Sequence, residues 1–398
     1  MRKAQPVQDN FGRPMRVAFI VGGFAALVCV AGLFISGPGL FFQAYLYSYL
    51  FWLGISLGGL ALLMLHWTSS TTWGMTIRRV LEANSASLWL MAILFIPIII
   101  GLPFLYSWAR PAEVAASAML QSKTWYLNTP FFIVRAIVYF SIWILFGYLL
   151  NRRGAALAAL PLEQSRGRLQ GLAAVGLLVY VLTMTFAAID WIMSLEPEWV
   201  STAFGMIIIL MQVLSAMAFA ILMLNLFPSL TLGRHWSSDS TPVSYQELGA
   251  LLLTMVMAVT YVAFFQYLII WAGNIPREVV WYLHRIQDGW AWVMGFVVLF
   301  QFALPFCILL STRVRHNLRL LAWLSALLLF ASLVNVFWLV KPVFSPSAFS
   351  VSWLDILMPI AVGGIWFGVF LFHLKRRPAL TEAEQMTVQL TSQEKAAQ

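Results

Sequence analysis

Charged residues are scarce in this sequence. Only 10% of its 398 residues are Asp, Glu, Lys or Arg, whereas 61% are hydrophobic. A soluble domain cannot bury that much apolar surface, so the composition excludes a soluble enzyme. The apolar runs are continuous and near twenty residues long, which fits helices that cross a hydrocarbon core about 30 Å thick and excludes a transmembrane β-barrel. The sequence therefore predicts an all-α polytopic membrane protein.

Cysteine and membrane-embedded histidine are scarce as well. The two cysteines, Cys29 and Cys307, lie in apolar segments. They are too few for an iron–sulfur cluster, which needs about four protein ligands. A membrane haem needs two histidines on facing helices, but only His66 and His373 lie near predicted spans, both at the same edge. We therefore expect no redox cofactor in this chain, and any such centre would belong to a partner chain.

Ten apolar runs are predicted to span the membrane: residues 17–35, 46–66, 86–108, 130–150, 169–189, 200–224, 247–272, 290–310, 319–340 and 353–373. Residues 1–16 are polar and basic, with no convincing cleavage site after them, so we expect a cytoplasmic segment and a retained first helix. The membrane domain is expected over 17–376. The polar residues 377–398 are predicted to form a flexible cytoplasmic tail.

The distribution of basic residues predicts the orientation. Eighteen Lys and Arg residues lie in the N-terminal segment, the even-numbered connections and the tail, five lie in the opposite connections, and Arg135 lies inside a span. Basic residues favour the cytoplasmic side, so both termini are predicted to be cytoplasmic and the Asp190–Trp199 connection to face outward. The excess of basic residues on the cytoplasmic side also accounts for the high pI of 9.8. We therefore expect no nucleic-acid partner.

Arg135 is the one basic residue well inside a predicted span. Burying it costs at least about 2.5–3.5 kcal/mol. Asp190 lies at a similar depth on the next antiparallel span, and Asp355 lies at the start of the last span. A pair with either carboxylate would relieve this cost, so a role with protons or quinone and a structural ion pair both remain open.

A proton path would need ionisable groups at both membrane faces and polar steps between them. Histidine suits the inner face because its unperturbed pKa is about 6.5. Each of these residues also has an ordinary interpretation, as a helix end or a helix–helix hydrogen bond. The candidates are Asp190, Glu196 and Asp355 at the outer face with Arg135 beside them, His66 and Glu82 at the inner face, and Tyr139 and Asn335 between.

Two outer connections are long enough to carry surface helices. Pro at the first turn predicts one helix over 111–122 and another over 276–287. Together with the Asp190–Trp199 connection, they are expected to form a docking face for partner subunits. The residues proposed for docking are Glu113, Lys123, Trp199, Arg277, His284 and Arg285. Separately, small residues spaced four apart at Gly54/Gly58 and Gly364/Gly368 predict close helix contacts.

Several sequence blocks together resemble one family. They are HWT at 66–68, WGMTIRRVLEA at 73–83, YLNTPFFIVRA at 126–136, DWIMSLEPEW at 190–199, QYLIIWAGNIP at 266–276, WYL at 281–283 and GW at 289–290. In this order they resemble the ActF family, the second NrfD-like membrane subunit of bacterial alternative complex III, a quinol:electron-acceptor oxidoreductase. The resemblance covers about residues 15–375.

The resemblance implies two four-helix bundles, about 46–189 and 200–340, with the first and last spans outside them. It implies a bacterial inner-membrane subunit that carries no redox centre, supports quinol oxidation and conducts protons or serves as a scaffold. The implied partners are an ActC-type paralogous membrane subunit, extracytoplasmic subunits with iron–sulfur clusters and haem c, membrane lipids and the quinone pool. A secondary transporter and a purely structural anchor are the competing interpretations of the sequence.

Overall fold

The computed structural model describes residues 11–69, 73–157, 162–227, 230, 243–346 and 348–376. Nearly all of them are helical, and none of these residues forms a strand. Ten helices within them are long and apolar enough to cross a membrane. The prediction of an all-α polytopic integral membrane protein is therefore confirmed. Residues 1–10 and the predicted tail 377–398 lie outside the described residues.

The ten long helices are numbered α1 to α10 in chain order. Two are irregular: α3 is interrupted near Ser87 and near Leu94, and α8 contains a π-helical segment, Val298–Ala303. The bounds are α1 Gly12–Ile35, α2 Pro38–Thr68, α3 Trp73–Ile100, α4 Thr129–Leu157, α5 Leu162–Trp191, α6 Phe204–Leu226, α7 Val243–Gly273, α8 Trp290–Leu310, α9 Leu318–Val340 and α10 Trp353–Lys375.

Local sequence signals fix where several helices begin. Pro38 opens α2 after Gly37, whose φ of 87° suits glycine because it has no Cβ. The Asn317 side chain accepts hydrogen bonds from the first backbone N–H groups of α9. Ser352 and Asp355 form a reciprocal capping box at the start of α10. The chain therefore marks its helix starts with short polar or conformationally restricted residues.

Some predicted bounds were wrong. The helix α1 begins at Gly12, within the segment expected to precede the first span, and α2 begins at Pro38 instead of residue 46. The helix α3 begins at Trp73 instead of residue 86. The charged residues at its start favour a connection, but in the structure Arg78 and Glu82 pair at 3.5 Å along the helix and are buried.

The predicted surface helix over 111–122 is two short helices, Pro111–Ala116 and Ala118–Ser122. The chain breaks at Ser117, whose hydroxyl accepts a hydrogen bond from the Leu120 backbone N–H at 3.3 Å and so begins the second helix. The second predicted surface helix is present as Pro276–Ile286, which we call the outer helix.

Two four-helix bundles share a buried centre. Helices α2 to α5 pack in a ring, as do α6 to α9, and α2 packs closely on α6 between the rings. In the most apolar part of each helix, 89% of the residues of α2 and 83% of those of α6 are buried. Gly58 allows this approach, because a Cβ there would lie 2.0 Å from the Gln212 carbonyl oxygen. The predicted close contact at Gly58 is therefore observed.

Helices α1 and α10 pack against each other outside the two rings. Gly22 of α1 meets Gly364 of α10 so closely that a Cβ at Gly22 would lie 2.6–2.8 Å from the α10 backbone. By contrast, a Cβ at the adjacent Gly23 would meet nothing within 4 Å. The predicted small-residue contact on α10 therefore joins it to α1, and Gly22 and Gly23 form a matched pair for testing it.

We expect Gly22→Ala to lower the stability of the purified chain by about 1–3 kcal/mol, the usual cost of overpacking. Gly23→Ala should leave stability unchanged or raise it slightly, because alanine favours helix. The thermal unfolding midpoint in detergent measures both. Equal midpoints for the two variants would contradict the backbone contact between α1 and α10.

Candidate functional site

We call the end of the spans that carries the Asp190–Trp199 connection the outer end, and the opposite end the inner end. Near the outer end, Arg135 of α4 binds Asp190 of α5 with two parallel hydrogen bonds. Arg135 Nε donates to Asp190 Oδ2 at 2.8 Å, and Arg135 Nη2 donates to Oδ1 at 3.0 Å. Arg135 is 8% exposed and Asp190 is fully buried. Of the two partners considered for Arg135, the structure pairs it with Asp190.

Aromatic residues complete the surroundings of this ion pair. The Tyr139 hydroxyl donates to Asp190 Oδ2 at 2.9 Å, one turn below Arg135. The guanidinium of Arg135 lies over the Tyr126 ring at 3.9 Å and over the Phe131 ring at 4.3 Å. Burial and the nearby Asp190 carboxylate raise the pKa of Tyr126 above its usual range. The pair is therefore enclosed by rings and by one hydroxyl donor.

Asp355 has a different partner, so an Arg135–Asp355 pair is wrong. Lys341 Nζ donates to Asp355 Oδ1 at 3.1 Å, and both residues are at least 94% buried. The backbone N–H of Ser352 donates to the other carboxylate oxygen at 2.8 Å, and the Tyr47 hydroxyl donates to the Asp355 backbone carbonyl. Asp355 thus joins the start of α10 to the end of α9 and to α2.

A third ion pair connects the outer segments. Arg285 of the outer helix lies 2.7 Å from Glu196 Oε2, and His284 Nδ1 lies 3.0 Å from Glu196 Oε1. Arg277 donates to the Glu198 carbonyl at 2.7 Å, and Lys123 donates to the Pro197 carbonyl. The three outer segments proposed for docking therefore form one connected surface.

Two residues proposed for docking are not at this surface. Trp199 is 3% exposed and stacks on Trp281 with ring centroids 4.5 Å apart. Arg285 is 1% exposed because its guanidinium lies over Trp281 and pairs with Glu196. Burial lowers the pKa of Arg285, and Glu196 opposes that shift. Both are therefore corrected from docking residues to internal supports of the outer segments.

The other residues proposed for docking are more accessible. Arg277 is exposed, while Lys123 and His284 are half-buried. Burial, and then the Arg277 guanidinium, lower the pKa of Lys123, whereas Glu198 raises it. Glu113 forms a surface ion pair with Arg110 at 3.0 Å. These four side chains remain available for contact with a partner.

At the inner end, His66 near the end of α2 is fully buried. It packs against the start of α3, where a Cβ on Gly74 would lie 2.1 Å from His66 Nδ1. Glu82 lies further along α3 and is 7% exposed. Asn151 Nδ2 of α4 donates to the Glu82 backbone carbonyl at 3.3 Å. Both proposed inner residues therefore lie inside the first bundle.

A buried stripe along α4 connects the two ends, and sequence reasoning missed it. Arg135, Tyr139, Trp143, Gly147 and Asn151 recur every four residues and are all buried. Sixteen residues of helix span about 24 Å. Because four residues slightly exceed one turn, the stripe winds around α4. The spacing was visible in the sequence, but its burial was not.

The winding takes the stripe from α5 to α3. At its outer part, Tyr139 contacts Asp190, and Trp143 Nε1 donates to Thr183 Oγ1 of α5 at 2.9 Å. At its inner part, Asn151 Nδ2 donates to Ser85 Oγ of α3 at 3.1 Å. The stripe therefore places hydrogen-bonding groups at several depths between Asp190 and Glu82.

Asn335 is not between Asp190 and the inner residues, so its proposed place in that path is corrected. It lies on α9 in the second bundle, where Asn335 Nδ2 donates to Gln301 Oε1 of α8 at 2.7 Å. The sequence shows that Asn335 lies inside a span, but it does not show which bundle face the residue occupies.

No protein-family model matches the chain, and no curated protein matches it. Within the part of the chain that the structure describes, no group of three His, Cys, Asp or Glu side chains is placed to hold a metal ion.

We expect Asp190→Asn to lower the free energy of unfolding by about 3–5 kcal/mol, because it leaves Arg135 buried without an opposite charge. The double variant Arg135→Gln/Asp190→Asn should lose less than the sum of the two single variants, because neither charge is left unpaired.

Thermal unfolding of the purified chain measures these changes. The control is Glu113→Gln, which breaks an ion pair whose side chains are 44% and 45% exposed and should cost about 0–1 kcal/mol. Equal losses at the two sites, or strict additivity at Arg135 and Asp190, would contradict strong coupling of the buried pair.

Proposed function

We propose that this integral membrane protein is a subunit of a quinol:electron-acceptor oxidoreductase of the alternative complex III type. In this proposal the chain carries no redox centre, anchors extracytoplasmic subunits that hold iron–sulfur clusters and haem c, and conducts protons through its first bundle. The observation that carries the proposal is the buried stripe of α4 between Asp190 and Glu82.

The chemistry of the stripe supports proton movement. A proton crossing about 30 Å of hydrocarbon needs successive hydrogen-bonding groups, because an isolated charge there is costly. Asp190 and Tyr139 offer a carboxylate and a hydroxyl at the outer part, and Asn151 and Ser85 offer an amide and a hydroxyl near Glu82. Thr183 supplies a hydroxyl at intermediate depth beside Trp143.

The sequence blocks that resemble the ActF family support the identity of the complex. They supply His66, Glu82, Arg135, Asp190 and Glu196, which are buried or paired in the structure. These residues belong to separate helices and connections, yet four of them lie in or beside the first bundle. The resemblance therefore includes one pair, Arg135 and Asp190, whose side chains contact each other in the structure.

The connected outer segments suggest where partner subunits bind. Arg277 and Glu113 present charges there, while Glu196 and Arg285 hold the segments together from within. A face that is already ordered loses little conformational entropy when a partner binds. In this proposal the redox subunits therefore bind the outer end.

Isolation from native membranes tests the assignment. We expect a tag on this chain to recover subunits with a haem Soret band, and a photo-crosslinker at Arg277 to capture one of them. The same crosslinker at Arg313, which is exposed in the connection between α8 and α9, is the control. Purification as a solitary chain that moves a solute would instead favour a transporter, and capture only from Arg313 would contradict docking at the outer end.

Proton conduction is tested in the assembled complex in sealed vesicles. Quinol oxidation itself releases two protons per quinol, so the measured quantity is the proton release in excess of these. We expect Tyr139→Phe and Asn151→Leu to reduce this excess by roughly tenfold while quinol oxidation persists, since each removes a hydrogen bond worth about 1.5 kcal/mol from the stripe. Tyr180→Phe is the matched control, because the Tyr180 hydroxyl donates to Gln212 Oε1, away from the stripe. Unchanged proton release in the two stripe variants would leave the chain as a scaffold.

A further inference from the structure

The second bundle contains a cavity of about 630 Å³ that the α4 stripe does not reach. Its walls come from α6 to α9 and the outer helix. Pockets for small organic ligands commonly measure about 300–1,000 Å³. Side chains at its rim are exposed, with Tyr261 at 60%, Phe264 at 56% and Val298 at 53%. Because these residues lie on membrane-spanning helices, the opening faces the space that lipid occupies.

The wall of the cavity is apolar with a few polar groups. Its polar side chains include Gln266, whose Nε2 donates to the Tyr282 hydroxyl at 3.3 Å, and the Gln301–Asn335 amide pair. Asn335 is 8% exposed, and its Oδ1 accepts no hydrogen bond from the described residues. That carbonyl oxygen is a free acceptor at the wall of the cavity.

An irregular helix places one of these amides. Gln301 lies within the π-helical segment Val298–Ala303, and Val298 and Phe302 from the same segment also line the cavity. Such segments are rare and occur frequently at functional sites. Here the segment leaves Gln301 Oε1 2.7 Å from Asn335 Nδ2 and Gln301 Nε2 3.3 Å from Ser332 Oγ. Gln301 therefore belongs to the π-helical segment, to the cavity wall and to the amide pair.

The absence of charge in the wall restricts the ligand. None of the described residues that line the cavity is Lys, Arg, His, Asp or Glu. A phosphate head group buried here would lose its hydration without gaining a cation. Tyr282 and Asn335 can instead bond an uncharged carbonyl or hydroxyl, and burial raises the pKa of Tyr282 to about 12, so its hydroxyl stays protonated.

From these observations we infer that the cavity binds a membrane lipid with a long hydrocarbon chain and an uncharged, hydrogen-bonding head group. The head lies against Asn335, Gln301 and Tyr282, and the chain leaves between α7 and α8 past Phe264 and Val298. Two sources share this chemistry, an isoprenoid quinone and a diacylglycerol. The site holds whether or not the first bundle conducts protons, because it shares no residue with the α4 stripe.

Native mass spectrometry of the full chain in lipid nanodiscs tests the site with three probes. They are a decyl benzoquinone, dioleoylglycerol and phosphatidylglycerol. We expect one or both uncharged probes to bind with one-to-one stoichiometry and phosphatidylglycerol not to compete. Preference for the quinone would assign the site to quinones, and preference for dioleoylglycerol would assign it to neutral glycerolipids. Binding of phosphatidylglycerol alone, or of no probe, would overturn the inference.

Two variants with matched controls locate the ligand. Asn335→Leu removes the free acceptor and should weaken probe binding about tenfold, the effect of one lost hydrogen bond. Its control is Gln212→Leu, a buried amide on α6 outside the cavity wall. Ala263→Trp adds a ring to the α7 wall and should abolish binding, whereas Ile269→Trp, on the same helix but 66% exposed and outside the wall, should not.

The unfolding midpoint of each variant separates lost binding from lost folding. If Ala263→Trp does not fold, Asn335→Leu still tests whether the amide pair holds the head group. Probe binding that is equal in the unmodified chain, Asn335→Leu and Gln212→Leu would show that the amide pair does not hold a head group and would overturn the inference.

Discussion

A charge inside a bilayer has no water to solvate it, and this constraint shapes the outer end of the protein. Three cations there, Arg135, Lys341 and Arg285, each lie against one carboxylate in a different part of the fold. Two of the pairs, Arg135–Asp190 and Arg285–Glu196, join segments that are far apart in sequence, whereas Lys341–Asp355 joins the end of α9 to the start of α10. Since removal of one member would leave a buried charge unpaired, each pair disfavours arrangements in which its two members are separated.

The same constraint explains why the first bundle differs from the second. In the first, charge and hydroxyl groups follow α4 and are enclosed by α3 and α5. In the second, the deep polar groups are uncharged amides beside an open volume. This difference fits the proposals that the first bundle conducts protons and that the second binds an uncharged lipid. Their similar helix arrangement does not imply one shared role.

The ten spans were predictable because apolar length alone identifies a membrane helix. The start of α3 was not predictable in this way. Hydropathy treats Arg78 and Glu82 as two separate charges, whereas in the helix they pair with each other and are buried. The partner of Arg135 was predicted as one of two carboxylates. The choice depended on Lys341, which directly follows α9 and pairs with Asp355. The position of Asn335 depended on helix rotation, which hydropathy does not encode.

The contact between α1 and α10 has a consequence for how the chain enters the membrane. Gly22 and Gly364, which touch in the fold, are 342 positions apart. At roughly 5–20 residues per second, synthesis separates them by about 17–70 s. Throughout that interval α1 must reside in lipid without its main neighbour. Its apolar character fits this requirement, because its mean hydropathy of 2.6 is matched only by α6 among the ten spans of the described chain.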